Sequence, residues 1–334
     1  MKKILVTGGC GFIASHFISV LDANACKVIV VDNLCNSDRQ VIDNLKKITA
    51  IEIDFHEVDL RDIESLKRVF KSRSIDLVVH FAGLKSVADS VIDPISYYEN
   101  NVVGSLNLLS CMQAHDVNNI IFSSSATVYG HQDQQPISET QPAQPINPYG
   151  QTKLAIETML HDVSHSSAGL NAVILRYFNP VGAHPLGLIG ESPKGQPNNL
   201  MPIILNVAAR RVEYVNIFGD DYDTPDGTGL RDYIHVMDLA SAHLAAIKQL
   251  EQKGVTCLNI GTGSPTSVLE LVHAFEKVNN IKIPYQVTKR REGDLAVCYA
   301  DAHLANEKLG WQSRLTIEDA CHDAWRAYQN LTSN

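Results

Sequence analysis

No apolar run in this chain approaches the roughly 18 residues that would suggest a membrane span. The N-terminus passes directly into the strand-like Lys2-Lys3-Ile4-Leu5-Val6 without a signal-like segment. Basic residues are in the minority, 28 Lys and Arg against 37 Asp and Glu, so the net charge is -9. No basic stripe is present to follow a nucleic-acid backbone. These absences predict a cytoplasmic protein with neither membrane nor nucleic-acid partner. The seven cysteines (Cys10, Cys26, Cys35, Cys111, Cys257, Cys298 and Cys321) are odd in number and scattered, with no Cys-x-x-Cys pair, which argues against a disulfide framework or a zinc site. His161 and His165 stand four apart, but residue 162 is Asp where a zincin carries Glu, so no metal site is expected.

What is present is a rhythm. A chain of 334 residues suggests about two domains. Short β-branched runs at 4–7, 28–32, 53–59, 76–82, 119–125 and 172–178 alternate with helix-like spacing at 13–24, 62–71, 97–115 and 149–165. That alternation predicts an α/β fold with a Rossmann-type doubly wound parallel sheet. After Asn179-Pro180 the texture changes to a Gly/Pro-rich stretch from His184 to Pro197, which marks a domain change. Residues 1–179 are read as a dinucleotide-binding domain, with a strand near 255–260 returning to its sheet. Residues 180–334 are read as a smaller C-terminal α/β substrate domain closed by two helical patterns.

Thr7-Gly8-Gly9-Cys10-Gly11-Phe12-Ile13-Ala14 follows the first strand and opens a helix. Glycines there let the backbone approach a pyrophosphate at a helix N-terminus. Asp32 closes the second strand, where a carboxylate binds ribose hydroxyls and disfavours a 2'-phosphate, so the pattern points to NAD rather than NADP. Asp59 and the Phe81-Ala82-Gly83-Leu84-Lys85 segment end two further strands, at the edge where such sheets bind ligands. Asp59 is placed to face the adenine, and Asn100 to brace a neighbouring loop.

Ser123-Ser124-Ser125-Ala126-Thr127 precedes Tyr149-Gly150-Gln151-Thr152-Lys153. Residues four apart share a helix face, with side-chain bases roughly 6 Å apart. Lys153 and a helix N-terminus would both lower a phenol from its ordinary value of about 10, making Tyr149 a candidate acid and base. Pro148 biases Asn147 toward extended geometry and sets the helix start near Tyr149.

With these segments the chain resembles the UDP-glucose 4-epimerase family of the extended short-chain dehydrogenases/reductases over nearly its whole length. The likeness extends through Arg176 to Pro185, Pro197 to Pro202, Gly229 to Val236 and Arg290 to Asp294. It implies a tightly held NAD reduced and reoxidised within one turnover, at Gly8, Gly11, Phe12 and Ile13. The adenosine half would meet Asp32, Asn33, Asn36 and Ser37, with Asp59 and Leu60. Phe81, Ala82, Gly83, Lys85, Asn100 and Phe178 would line the rest. Tyr149 would take the proton of the sugar 4-hydroxyl, Lys153 would lower its pKa and bond the nicotinamide ribose, and Ser125 would bond the same sugar oxygen. A 4-keto sugar would then turn its other face and take the hydride back. The UDP-sugar would lie against Lys85, Ala126, Thr127, Asn179, Asn199 and Leu200. Asn216, Phe218 and Tyr233 would add to the pocket, while Arg231 and Arg291 hold the diphosphate and Asp294 a uridine ribose hydroxyl.

Three positions depart from the family pattern: Ala14 for a third glycine, Phe12 for a frequent Tyr, and Cys298 for a bulky Tyr. The small Cys298 implies room for an N-acetyl group, hence activity on UDP-GlcNAc and UDP-GalNAc besides UDP-glucose and UDP-galactose. Alternatives are a dehydratase, a UDP-uronate epimerase, or an NAD-sensing regulator without catalysis. A dehydratase carries an Asp-Glu pair where Ala126-Thr127 stand, and a sensor tends to lose the Tyr-Lys pair. The 97–115 and 149–165 helices correspond to those that pair across a two-fold axis in the superfamily, implying a homodimer.

Overall fold

The structure, a computed structural model, describes residues 1–166, 169–195, 197–291 and 293–332. Gln196 of the Gly/Pro-rich stretch and Glu292 of the Arg290 to Asp294 segment lie outside them. The chain opens with β1 (Lys2–Thr7), β2 (Cys26–Asp32), β3 (Ile53–Glu57), β4 (Leu77–His80), β5 (Asn119–Ser125) and β6 (Asn171–Tyr177). Five strands follow, β7 (Asn179–Val181), β8 (Val215–Phe218), β9 (Leu230–Arg231), β10 (Tyr233–His235) and β11 (Val255–Ile260), and then β12 (Thr266–Ser267), β13 (Tyr285–Thr288) and β14 (Val297–Cys298). One sheet takes the order β11-β6-β5-β4-β1-β2-β3, with every pairing parallel. The order reverses between β1 and β4, which opens a crevice at the carboxyl ends of those strands.

The helices in chain order are α1 (Phe12–Ser19), α2 (Gln40–Ile48), α3 (Ile63–Lys71), α4 (Val87–Ile92), α5 (Pro94–Tyr97) and α6 (Gly104–Ala114). They continue as α7 (Pro148–His165), α8 (Leu200–Ala208), α9 (Val236–Gln249), α10 (Val268–Asn279), α11 (His303–Leu309) and α12 (Ile317–Thr332). The central strands of this sheet are mostly apolar because both faces are covered, whereas the edge strand β3 is Ile-Asp-Phe-His-Glu. Ile4, Val6 and Val30 enter one layer with Phe17 of α1, Leu45 of α2 and Leu239 of α9. Leu5 and Ile29 enter the other with Leu66 of α3, Leu108 of α6 and Ile156 of α7. A separate core of Met201, Ile204, Leu271, Phe275, Cys321 and Ala324 joins α8, α10 and α12. Beside it lie three small sheets, β10-β7, β12-β9-β14 and β13-β8.

Several elements differ from the sequence pattern. The helix expected over 13–24 stops at Ser19. The one expected over 97–115 is interrupted, since α5 runs into a π-helical segment, Tyr98–Val103, before α6. Strand spacing at 53–59 and 76–82 overruns the paired residues, because β3 ends at Glu57 and β4 at His80. Among the described residues three helices rather than two follow β11, since α11 has only seven residues and too few turns to show a period. The start of α7 is as the sequence predicts: Asn147 is extended and its Oδ1 accepts from Gly150 N at 2.8 Å, with Pro148 in the first turn.

Candidate active site

The dinucleotide side is assembled at the C-terminal ends of β1, β2 and β4. Gly8 has φ +66°, and a Cβ there would lie 2.9 Å from both the Cα and the N of Ala82. The glycine therefore lets two strand-end loops touch. Gly11 caps α1 without a side-chain bond, so the first-turn amides, Phe12 and Ile13 among them, point outward as helix N-termini do. Asp32 is buried, and its carboxylate accepts from Cys10 N at 3.0 Å, Leu34 N at 2.8 Å and Ser37 Oγ at 2.8 Å. It thereby ties the glycine loop to the segment after β2. Asn36 Oδ1 accepts from Lys194 N at 3.0 Å, and Lys194 Nζ donates to Leu34 O at 2.8 Å. The sequence reading missed Lys194, which lies in the Gly/Pro-rich stretch.

Asn33 Nδ2 donates to Asp59 at 2.9 Å, and Arg61 donates to both of its oxygens at 3.0 and 2.8 Å. Chiefly through Arg61, the Asp59 carboxyl is held well below the usual carboxylate range. Leu60 is buried and would be 3.2 Å from a Cβ on Gly104. A glycine cradle that a Cβ would fill, an uncapped helix start and a fixed carboxylate at the end of β2 together fit NAD.

The residue that braces the loop after β4 is Asn101, next to the expected Asn100. Asn101 Oδ1 accepts from Leu84 N at 2.7 Å, and its Nδ2 donates to Leu84 O and Thr152 Oγ1, each at 3.1 Å. The π-helical widening at 98–103 shifts the inward face relative to α-helical spacing, and nothing in the residue types marks it. The ring of Phe81 is half-buried, its centroid 4.7 Å from that of His243 and 5.8 Å from that of Phe17. Ala82 N donates to Thr7 Oγ1 at 3.2 Å. A Cβ on Gly83 would sit 3.7 Å from Lys153 Nζ, which brings this loop to the catalytic helix.

Tyr149, Lys153 and Ser125 converge and are all buried. Lys153 Nζ donates to Ser123 O at 2.9 Å, lies 4.9 Å from the Phe122 ring centroid and 5.9 Å from that of Tyr149. Ser125 Oγ accepts from Thr127 N at 3.2 Å and Thr127 Oγ1 at 3.0 Å, which leaves its own proton to donate. Burial pushes the Tyr149 phenol up to about 12, against the pull of a hydrogen bond with Ser125, and pushes Lys153 down to about 8. In this arrangement burial sets the direction of the Tyr149 shift. Desolvation of both groups outweighs a cation that is turned toward the Ser123 carbonyl. Phe178 packs with Val128, Tyr129 and Ala300. Its neighbour Tyr177, which the sequence reading passed over, carries a buried hydroxyl bonded to Ser123 and raised by burial and by Tyr149.

On the substrate side, Lys85 Nζ pairs with Glu191 at 2.7 Å, and Asn199 Nδ2 donates to the same oxygen at 3.1 Å. Asn199 begins α8 just before Leu200. Ala126 and Thr127 form a single 3-10 turn after β5. Asn179 follows the end of β6, where Ser125 and Tyr177 are paired, and its N donates to Asp232 O at 3.0 Å. Arg231 and Cys298 are partners across β9 and β14, and the Arg231 guanidinium is 3.8 Å from Asp294. Burial raises the Cys298 thiol to about 11 and the Tyr233 phenol to about 12. The Arg291 guanidinium stacks 3.8 Å above Phe218. Asn216 is exposed and accepts from Gln286 Nε2 at 2.7 Å. His165 Nδ1 is turned to His161 O at 2.7 Å, so this ring nitrogen does not face a metal shared with His161. Among the described residues no cluster of His, Cys, Asp and Glu is arranged to hold a metal.

A parallel sheet with a glycine cradle, and a buried Tyr-Lys-Ser group at the same sheet edge, define a nicotinamide-dependent enzyme of alcohol and sugar chemistry. The model of the NAD dependent epimerase/dehydratase family matches residues 4–261, and the chain belongs to that family. It is 48% identical to the UDP-glucose 4-epimerase of Mus musculus, over 98% of this chain and 96% of the mouse protein. It superposes with a TM-score of 0.97 on the UDP-glucose-4-epimerase of Stenotrophomonas maltophila with bound NAD and formylated UDP-arabinopyranose, at 46% identity and covering 100% and 99% of the two chains. The corresponding enzyme of Bifidobacterium longum in complex with NAD+ and UDP gives 0.95 at 48% identity, covering 100% and 99%.

Proposed function

We propose that this protein inverts carbon 4 of UDP-hexoses reversibly, interconverting UDP-glucose and UDP-galactose. The observation that carries the reading is the buried Tyr149, Lys153 and Ser125 beside a loop fitted to NAD, in a chain matched to UDP-glucose 4-epimerases along nearly its full length. NAD, when bound, supplies the acceptor and donor of a hydride and a fixed positive charge. Residues 1–179 would hold it, with 255–260 returning to the sheet, and residues 180–334 would hold the UDP-sugar.

In this reading Ser125 donates to the sugar 4-oxygen and Tyr149 exchanges its proton, removing it in the oxidative half and restoring it in the reductive half. Lys153 supports the phenolate, with its ammonium fixed by the Ser123 carbonyl. Arg231 and Arg291 present forked donors suited to a diphosphate. Nothing at Ala126-Thr127 provides the carboxylate pair that water elimination would use, which separates this reading from a dehydratase. Incubation with UDP-galactose is expected to yield UDP-glucose without added oxidant. Recovery of substrate alone would contradict the reading.

The small Cys298 beside Arg231 supports acceptance of N-acetyl sugars. Cys298→Tyr is expected to lower kcat/KM for UDP-GalNAc about 10-fold or more while sparing UDP-galactose, the scale on which a pocket discriminates by size. Equal effects on both sugars, or none, would remove the idea. A homodimer and a cytoplasmic location complete the proposal, and no described helix is long and apolar enough to cross a membrane. Val91, Ile92, Ile95, Val103 and Leu106 are exposed along the segment from α4 to α6, an apolar face consistent with self-association. Sedimentation equilibrium is expected to give the mass of two chains, and Ile95→Lys with Leu106→Glu the mass of one; a monomeric parent would contradict it.

A further inference from the structure

The stripe that carries Tyr149 and Lys153 continues one turn further to Glu157, which the catalytic reading does not use. Glu157 is 2% exposed, and a carboxylate is buried only at large cost unless it is paired. Arg176 Nε lies 3.0 and 3.2 Å from its two oxygens and Nη2 2.5 Å from Oε2, while Ser124 Oγ donates to Oε1 at 2.5 Å. Ser124 and Arg176 are direct partners across β5 and β6. The carboxylate thus clamps α7 onto two strand ends, between Ser123, whose carbonyl receives Lys153, and Ser125. Arg176 is itself fixed, stacked 4.8 Å from the Tyr129 ring, and Tyr129 Oη donates to Asn259 Oδ1 at 2.7 Å.

We propose, resting on the epimerase reading above, that Glu157 is a positioning residue for the Tyr149–Lys153 pair, keeping the lysine cationic and α7 docked on the serine strand. The charge of Glu157 opposes the burial that lowers Lys153. The other titratable groups around the pair do not take over this role. His80 on β4 is kept neutral by burial, with a pKa near 3. Tyr177 on β6 and Tyr97 on α5 are phenols that burial raises, and Arg176 is a second cation. One anion therefore serves two cations, and its loss falls on the lysine.

The test is the pH dependence of kcat for the holoenzyme carrying Glu157→Gln. One unit charge about a helical turn away, at an effective dielectric of about 20, shifts a pKa by about one unit or more. Removing the anion lowers the lysine pKa, so activity is lost at a lower pH. The expected result is an alkaline limb moved down by about one pH unit, with a loss of about fivefold near pH 8 and little loss near pH 6. Glu157→Asp is expected to restore most of the profile. A loss equal at all pH values, or no loss, overturns the proposal, since a merely structural clamp would not move the limb. If Glu157→Gln fails to fold because Arg176 is left unpaired, Arg176→Gln keeps the anion and removes the cation that competes for it; the alkaline limb is then expected to move up, and an unmoved limb overturns the proposal. The Lys153 13Cε resonance, assigned with Lys153→Met, gives the titration without turnover. A parent that does not epimerise UDP-hexoses would end the functional reading, while an unmoved Lys153 midpoint would end this one.

Discussion

Tyr149→Phe is expected to lower kcat by roughly 10²- to 10⁴-fold, the contribution of a positioned acid and base. Bound NAD and UDP affinity should stay near parental. The ring is buried on the first turn of α7, so phenylalanine fills the same volume and removes only the hydroxyl that meets Ser125. Steady-state kinetics on UDP-galactose check the rate. The NAD content of the purified variant checks that the site survives. A rate within about tenfold of the parent would show that another group moves the proton, and Tyr177 would be the first to examine. Burial raises the Tyr149 phenol to about 12, so proton transfer at neutral pH would need Lys153 and the positive charge of NAD to favour the phenolate.

Gly8→Val is expected to cost about 3 kcal/mol of stability or more and to abolish copurification of NAD. A β-branched residue at φ +66° is strained. Its Cβ would also stand 2.9 Å from backbone atoms of Ala82, which no rotamer relieves. The β1 and β4 loops would have to part, opening the cradle. Calorimetry should show the melting temperature falling by roughly 5 to 10 °C. A parental melting temperature and a full complement of NAD would show that the two loops need not touch.

Much of this is legible in the sequence. Five of the seven strands in the main sheet, β1, β2, β4, β5 and β6, are marked by Val/Ile/Leu runs because helices cover both faces, and Asn147-Pro148 marks the start of α7 by its chemistry. The returning strand at 255–260, Val-Thr-Cys-Leu-Asn-Ile, is readable from its β-branched and apolar residues, and β11 pairs with β6 along its length. Three things were not legible. The π-helical segment has no residue signature, so the bracing role of Asn101, beside Asn100, is not readable from spacing. The pKa values of Tyr149 and Lys153 depend on desolvation, which spacing along a helix does not express; spacing suggests only their mutual attraction. Glu157 and Arg176 read as ordinary charged residues on a helix and a strand, and only the pairing of β5 with β6 reveals them as one buried unit. A carboxylate at 157, four residues beyond Lys153 on the same stripe, was the available signal.

The central claim is that the hydrogen removed from carbon 4 returns to carbon 4 from the opposite side, while Tyr149 lends and recovers the hydroxyl proton. UDP-galactose labelled with deuterium at carbon 4 and incubated with the enzyme in ordinary water tests this most directly. The expected product is UDP-glucose that keeps the deuterium at carbon 4 through many turnovers. Product carrying solvent hydrogen at that carbon would mean inversion by proton exchange, and would contradict it.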